Sequence, residues 1–285
     1  MSASTFPQTP CHPNLSKIGE CVTPISEARA KSMHRLCAQL IYVVVQIYYA
    51  SQYAVFKCGQ HVSKPNALYA ECLEHALHHI FATRHVGLTL GGVGESALGV
   101  AAYIAPGETE EVDPLLIKAN ADAGHMEPGP STGGFTVGCG NVTVHACSGT
   151  HHATTLATTD AESYELSRCV ATTYGVRDLM TEMGFPQLLP SPINCDNSGS
   201  VRKAASAGSD KRSPYLKRRV KFIEEAQAKG ATRVAHIPTE YNLADILTKS
   251  LPAKLYKKFR DAIMNVRVVA QHLHSMIVKE MPIPL

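Results

Sequence analysis

The chain has 285 residues, which is enough for one large or two small domains with cores of their own. Hydrophobic residues make up 45% and charged residues 18%, the balance of an ordinary globular protein. The net charge is only +3, but it is unevenly spread: residues 191–260 carry 15 Lys/Arg against 6 Asp/Glu, and the remainder carries 12 against 18. A basic segment of this kind favours a polyanionic substrate.

The nine cysteines are odd in number and contain no Cys-x-x-Cys pair. This pattern argues against a disulfide framework and a structural zinc finger, and it predicts reduced thiols in an intracellular protein. The N-terminus has no basic start followed by an apolar run, so we expect no signal peptide. The apolar stretch 36–56 is interrupted by Gln39, Gln46, Ser51 and Gln52, which favours a buried helix over a membrane span.

The first part of the chain alternates between Pro-rich and helical patterns. Residues 1–28 are rich in Pro, Ser and Thr and are predicted to be extended or disordered. Apolar periodicity predicts helices over 29–50 and 65–84. Short strands are predicted over 86–91 and 98–104, and the acidic stretch 107–113 resembles a linker.

From residue 115 onward the pattern predicts a mixed sheet covered by helices. Gly140-Asn141 is typical of a tight hairpin turn, and Gly184 with Pro186 predicts the end of a long helix. The order β-β-β-α-β-α-α-β-α combines antiparallel strands with α/β crossovers. The predicted strands cover 115–122, 133–139, 141–147, 191–197 and 232–240, and the predicted helices cover 160–183, 199–207, 214–229 and a region from Leu243.

Three acidic motifs stand out in this part of the chain: TTDAESYEL around Glu162, SPINCDN around Asp196 and YNLADILTKSLP around Asp245. Each belongs to a different predicted element. Carboxylates spread in this way favour a divalent-metal site that is assembled by folding. Two such ions can hold the attacking and leaving oxygens of a phosphodiester.

These motifs carry a family resemblance. ATTDAESYEL, INCDNSGSV and LADILTKSLP resemble blocks of the RNase H domain in copia-type retrotransposon Pol polyproteins, and the likeness covers 115–264. Residues 29–106, with an SKP turn between two helices, resemble the C-terminal and connection region of the reverse transcriptase in the same polyproteins. The resemblance implies an RNase H-like five-stranded mixed sheet flanked by helices, preceded by a mainly helical connection region. Residues 265–285 are then a C-terminal extension, predicted to be a docking helix.

The resemblance also implies a catalytic site of four carboxylates with two Mg²⁺ ions, or Mn²⁺ in their place. Glu162, Asp196 and Asp245 match three of the four positions. In the simplest register the first-strand aspartate has become Asn120, whereas a register shifted by two residues puts Asp122 there. Asn120 and Asp122 lie on the same face of a strand, about 7 Å apart, so both remain candidate metal ligands.

The function that this resemblance implies is RNase H-type hydrolysis of the RNA strand in an RNA–DNA hybrid. A basic run is expected to contact the phosphates without reading sequence. The expected partners are this hybrid and the rest of a Pol polyprotein, in a cytoplasmic particle or the nucleus, without a membrane. The alternative is a catalytically inactive remnant that binds nucleic acid, which Asn120 favours. The predicted phosphate-binding residues are Arg212, Lys217, Arg218, Arg219 and Lys221.

His75, His79 and His236 lie in predicted helices or strands. His75 and His79 share a helix face at a spacing that can bind metal, but without the His-Glu-x-x-His order we interpret this as chance. His236 on the last predicted strand is expected to pack within the sheet.

Overall fold

The computed structural model describes residues 6–90, 115–124, 131–140, 142–151, 158–205 and 216–266. The first part is helical, and the second combines five strands with helices. The helices are α1 (Glu27–Gln46), α2 (Gln52–Gly59), α3 (Ala67–Ala82), α4 (Thr158–Glu182), α5 (Ser198–Ala205), α6 (Lys217–Ala228) and α7 (Ala253–Ile263). The strands are β1 (Ile117–Gly124), β2 (Thr132–Cys139), β3 (Val142–Thr150), β4 (Ser191–Cys195) and β5 (Thr232–His236), and a 3₁₀ helix covers Leu243–Leu247.

The strands form one mixed sheet in the order β3-β2-β1-β4-β5. The first three strands are antiparallel neighbours, whereas β4 and β5 run parallel to β1. Gly140, with a φ of 58°, lies in the turn between β2 and β3, as the hairpin prediction requires. The predicted fold class, an RNase H-like five-stranded mixed sheet flanked by helices, is confirmed.

The helices α4, α5 and α6 cover one face of the sheet. Ala119 and Ala121 of β1 and Ile193 of β4 pack with Leu166 and Val170 of α4, and α5 and α6 complete this core. Because side chains alternate along a strand, Asn120 and Asp122 lie on the opposite face. The sheet therefore separates an apolar layer from a face that carries polar groups.

The long helix α4 ends where the sequence predicts. Phe185 N–H donates to the Met180 carbonyl at 2.8 Å and Gly184 N–H donates to the Thr181 carbonyl at 3.0 Å. These two bonds form a Schellman motif. Gly184 has a φ of 89°, a conformation that glycine adopts without steric cost.

The helices α1 to α3 have a core of their own and also pack on the sheet region. Buried Gln52, at the start of α2, donates to the carbonyls of Val44 and Ala146 and accepts from Ser148 N–H. His79 of α3 bonds to the Pro7 carbonyl and the Tyr256 hydroxyl of α7. The contacts of Gln52 with β3 and of His79 with Tyr256 join the two parts directly.

Three local predictions in the first part are wrong. Residues 15–20 form a 3₁₀ helix in which Leu15 and Ile18 are buried, so the segment 1–28 is not extended throughout. The helix predicted over 29–50 ends at Gln46, and residues 49–51 form a separate 3₁₀ turn before α2. Residues 86–90 form no strand. Thr89 N–H donates to the Met264 carbonyl and the Thr89 carbonyl accepts from the Asn265 side-chain amide, but among the described residues no strand pairs with this segment.

The predicted strand 98–104, the linker 107–113 and the extension 267–285 lie outside the described residues, as does the predicted boundary between the two regions. The domain limits therefore stay predictions. Within the described ranges, no helix is both long enough and apolar enough to cross a membrane.

Candidate metal centre

Three aspartates from separate motifs meet at one end of the sheet. Asp122 lies near the end of β1, Asp196 follows β4, and Asp245 lies in the 3₁₀ helix. One carboxylate oxygen of each lies within 4.8 Å of the others, a spacing that can hold a metal ion. Because β1 and β4 are parallel neighbours, their carboxyl ends lie side by side. The fold thus brings together two side chains that are 74 positions apart.

The third aspartate is positioned by close packing of the 3₁₀ helix on β2. An added Cβ at Gly134 would approach Leu247 Cβ to 2.6 Å, so only glycine allows this contact. Buried Asn242 precedes the 3₁₀ helix and accepts from Ala244 N–H at 3.2 Å. The same amide donates to the Ala121 carbonyl at 3.1 Å and thereby fixes the segment beside β1.

Asp196 is the most accessible of the three aspartates, with intermediate exposure. Its Oδ2 accepts from the Thr239 hydroxyl at 2.8 Å and its Oδ1 accepts from the Asn242 amide at 3.3 Å. His236 Nε2 donates to the Asp196 carbonyl at 3.1 Å. This histidine is exposed rather than packed within the sheet, so our prediction for it is wrong.

Asp122 and Asp245 are buried and share one cation. Lys249 Nζ lies 2.9 Å from Asp245 Oδ2 and 3.8 Å from Asp122 Oδ2. The Thr248 hydroxyl donates to Asp122. In contrast, Asp245 Oδ1 is fully buried and has no hydrogen-bond partner among the described residues. An unpaired buried carboxylate oxygen is costly unless a cation or a donor satisfies it.

Glu162, in the first turns of α4, lies beside this group. It is buried, and Cys195 Sγ lies 3.7 Å from its Oε2. Burial and the nearby charges of Asp122 and Asp196 raise its pKa to about 9. Cys195 directly precedes Asp196, so this contact brings Glu162 close to the aspartates, although it is not one of the three that share the 4.8 Å spacing.

The electrostatics of the site favour bound cations. Burial and the charge of Asp122 raise the pKa of Asp245 to about 8, and burial raises the pKa of Asp122. Buried carboxylates this close to one another disfavour each other's charged forms unless positive charge is bound nearby. A divalent cation would remove that penalty and would satisfy the unpaired Asp245 oxygen, so the residues fit a hard metal ion with oxygen ligands.

Asn120 is engaged elsewhere on the same face of the sheet. Its amide nitrogen donates to the Thr136 hydroxyl and its carbonyl oxygen accepts from the Asn194 amide, both at 3.1 Å. These bonds follow the strand register, since Thr136 and Asn194 are its direct neighbours in β2 and β4. Of the two candidate first-strand residues, Asp122 is therefore the one that meets Asp196 and Asp245.

The predicted basic residues lie on α6, which packs against α4. Arg219 stacks over the Tyr164 ring at 3.9 Å and donates to the Ser167 hydroxyl, so it ties the two helices together. Lys217, Arg218 and Lys221 are exposed. Arg212 lies outside the described residues.

Sequence reasoning missed the residues that surround the aspartates. Asn242, Thr248 and Lys249 all belong to the YNLADILTKSLP block, and Thr239 lies two residues before it. The motif itself could have indicated them, because its other polar residues lie at the site together with Asp245.

Comparison with known proteins supports the family likeness. The chain is 26% identical over 219 residues to the retrovirus-related Pol polyproteins of transposons RE1 and RE2 of Arabidopsis thaliana. In both cases 76% of this chain is covered. The predicted resemblance to a retrotransposon Pol polyprotein is confirmed. The matched length exceeds the 150 residues of 115–264, so the Pol likeness extends beyond the RNase H-like region.

The chain spans about 14% of the length of these curated Pol relatives. No protein-family model matches it. Among solved structures, LC11-RNase H1 from compost, in complex with an RNA/DNA hybrid, is 24% identical with a TM-score of 0.37, and the match covers 46% of this chain and 93% of that one. RNase H1 of Halobacterium salinarum is 20% identical with a TM-score of 0.36, covering 46% and 93%. The strand order and directions given above define the fold of the RNase H-like region.

Proposed function

We propose that this chain is the RNase H part of a Pol polyprotein and hydrolyses the RNA strand of RNA–DNA hybrids with divalent metal ions. The observation that carries the proposal is the convergence of Asp122, Asp196 and Asp245, with an unpaired buried oxygen on Asp245. An acidic pocket of this kind suits hard cations such as Mg²⁺ or Mn²⁺. The Pol relatives and the hybrid bound to LC11-RNase H1 support the choice of substrate.

Different sets of carboxylates would hold the two Mg²⁺ ions. Asp122 and Asp196 point from adjacent parallel strands and would hold the first ion together with Asp245. Glu162 lies beside Cys195, the residue that precedes Asp196, and would complete the second position. The bound ions would activate a water and stabilise the leaving 3′-oxygen of the cleaved phosphodiester.

The exposed basic residues of α6 would hold the hybrid. Lys217, Arg218 and Lys221 lie on a helix that packs on α4, the same helix that carries Glu162. Contacts from such side chains to phosphates fix the position of a duplex without reading its bases. We assign Arg219 a positioning role, because its guanidinium is already stacked on Tyr164.

The cleavage of a labelled RNA–DNA hybrid tests the proposal. We expect the wild type to cut the RNA strand with Mg²⁺ or Mn²⁺, and Asp196→Asn to lose more than about 100-fold of this activity, because loss of even an outer-shell partner of a metal site costs 10–100-fold. Asp178→Asn removes an exposed carboxylate of α4 and is the matched control, with activity near that of the wild type.

The same assay separates the second candidate, a catalytically inactive remnant that binds nucleic acid. Asn120 favours it, because the residue stands at the family position of the first-strand aspartate in the simplest register. Hybrid binding without cleavage at any metal concentration would select the remnant. Equally low cleavage by the wild type and by Asp196→Asn would likewise contradict the proposal that the chain is a nuclease.

A further inference from the structure

Lys249 places a positive charge inside the candidate metal centre. Its ammonium group contacts Asp245 at 2.9 Å and lies 3.8 Å from Asp122. The backbone holds it one turn after Asp245, since Lys249 N–H donates to the Asp245 carbonyl at 3.2 Å. Lys249 is therefore fixed at its base and joined at its end to two of the three clustered aspartates.

Lys249 is more exposed than the two aspartates that it contacts, so Lys249 can move while they cannot. The side chain of Lys249 is 42% exposed, whereas those of Asp122 and Asp245 are 5% and 2% exposed. Asp122 is also held by the Thr248 hydroxyl. The lysine can turn into solvent about its flexible stem, while the two carboxylates stay in place.

The positive charge of Lys249 affects how many divalent ions the pocket can bind. The three clustered aspartates and Glu162 carry four negative charges when all are ionised, which two divalent ions would neutralise. Lys249 offsets one of these charges, so with the ammonium group in place a second divalent ion would leave the pocket with excess positive charge. An ion at about 2.1 Å from Asp245 Oδ2 would lie within about 5 Å of the ammonium group in its present position. At this distance salt does not screen the repulsion, because the Debye length is about 8 Å at physiological ionic strength.

We propose that Lys249 is a positioning residue that acts as an internal counter-ion and limits the free protein to one tightly bound divalent ion. A second ion binds only when Lys249 turns out of the pocket, where its ammonium group is free to pair with a substrate phosphate. Occupation of both metal positions is thereby coupled to the arrival of nucleic acid. This inference rests on the proposed nuclease function.

Titration with Mn²⁺, followed by the electron paramagnetic resonance signal of the free ion, tests the proposal without an activity assay. We expect one tight site in the wild type and either a second site or an about tenfold or larger decrease in Kd in Lys249→Met. Lys249→Gln has the same expected outcome if the methionine variant does not fold. Lys249→Arg retains the charge and should behave as the wild type.

Lys257→Met is the matched control. Lys257 of α7 pairs with Asp261 at 2.8 Å, likewise four residues apart, and Asp261 is not one of the three clustered aspartates. Its Mn²⁺ binding should equal that of the wild type.

The outcomes distinguish this inference from the nuclease proposal. Equal site number and Kd in the wild type and both Lys249 variants, together with lost binding in Asp196→Asn, would overturn the role of Lys249 and leave the metal centre intact. If neither the wild type nor Asp196→Asn binds Mn²⁺, the proposed function itself fails.

Discussion

Asp122→Asn is expected to reduce hybrid cleavage by more than about 100-fold, whereas Asn120→Ala is expected to cost less than about tenfold. The reason is geometric. Asp122 meets Asp196 and Asp245 within 4.8 Å, while the Asn120 amide is bonded to Thr136 and Asn194. Only the first substitution removes a negative charge from the pocket.

Both variants remove one functional group from the same face of β1, so they form a matched pair. Steady-state cleavage of a labelled hybrid, measured at several Mg²⁺ concentrations, gives the comparison. Loss of the Asn120 bonds should appear mainly as a fall in stability of about 1 kcal/mol per hydrogen bond. If Asp122→Asn stayed active and Asn120→Asp raised the activity, the first-strand ligand position would belong to residue 120.

Glu162→Gln is expected to stabilise the metal-free protein while it lowers activity. Burial and the charges of Asp122 and Asp196 raise the pKa of Glu162 from 4.5 to about 9. Because this pKa is raised on folding, the wild type retains its full stability below pH 4.5 and loses stability as the pH rises toward 9. Gln is neutral throughout, so the variant should be more stable by about 5 kcal/mol at pH 8, which lies 3.5 units above the unfolded pKa of 4.5.

Urea unfolding in EDTA at pH 8 and pH 5 measures this difference. At pH 5 the gain should fall below about 1 kcal/mol, since this pH lies only slightly above the unfolded pKa of 4.5 and little of the stability loss has yet accumulated. Glu165→Gln, one turn further along α4, is the control. Glu165 is paired with His151 at 2.9 Å and Arg168 at 3.0 Å, so its loss should destabilise the protein by about 3–5 kcal/mol. Destabilisation by Glu162→Gln at pH 8 would contradict the electrostatic account.

The strand and helix order of residues 115–264 could be predicted because each element is encoded locally. Alternating strands, the Gly140 turn and the Gly184 helix end all depend on neighbouring residues. The break between α1 and α2 could not be predicted in this way. The apolar pattern continues through it, but the chain turns there so that Gln52 can reach the carbonyl groups of Val44 and Ala146.

The candidate site could be predicted only in part. The motifs indicated Glu162, Asp196 and Asp245, but alternation along β1 puts Asn120 and Asp122 on one face and leaves the choice open. Tertiary packing decides which of the two reaches the cluster, since the 3₁₀ helix that carries Asp245 packs on Gly134, the β2 neighbour of Asp122. Likewise, the contact of Lys249 with two aspartates depends on that packing.

The central claim is that folding gathers Asp122, Asp196 and Asp245 into one pocket that binds a divalent ion. Anomalous diffraction from crystals grown with Mn²⁺ tests it most directly. We expect an anomalous peak at coordination distance, roughly 2.1–2.4 Å, from carboxylate oxygens of these three aspartates. Mn²⁺ density elsewhere, or no density between them at a saturating concentration, would contradict the claim.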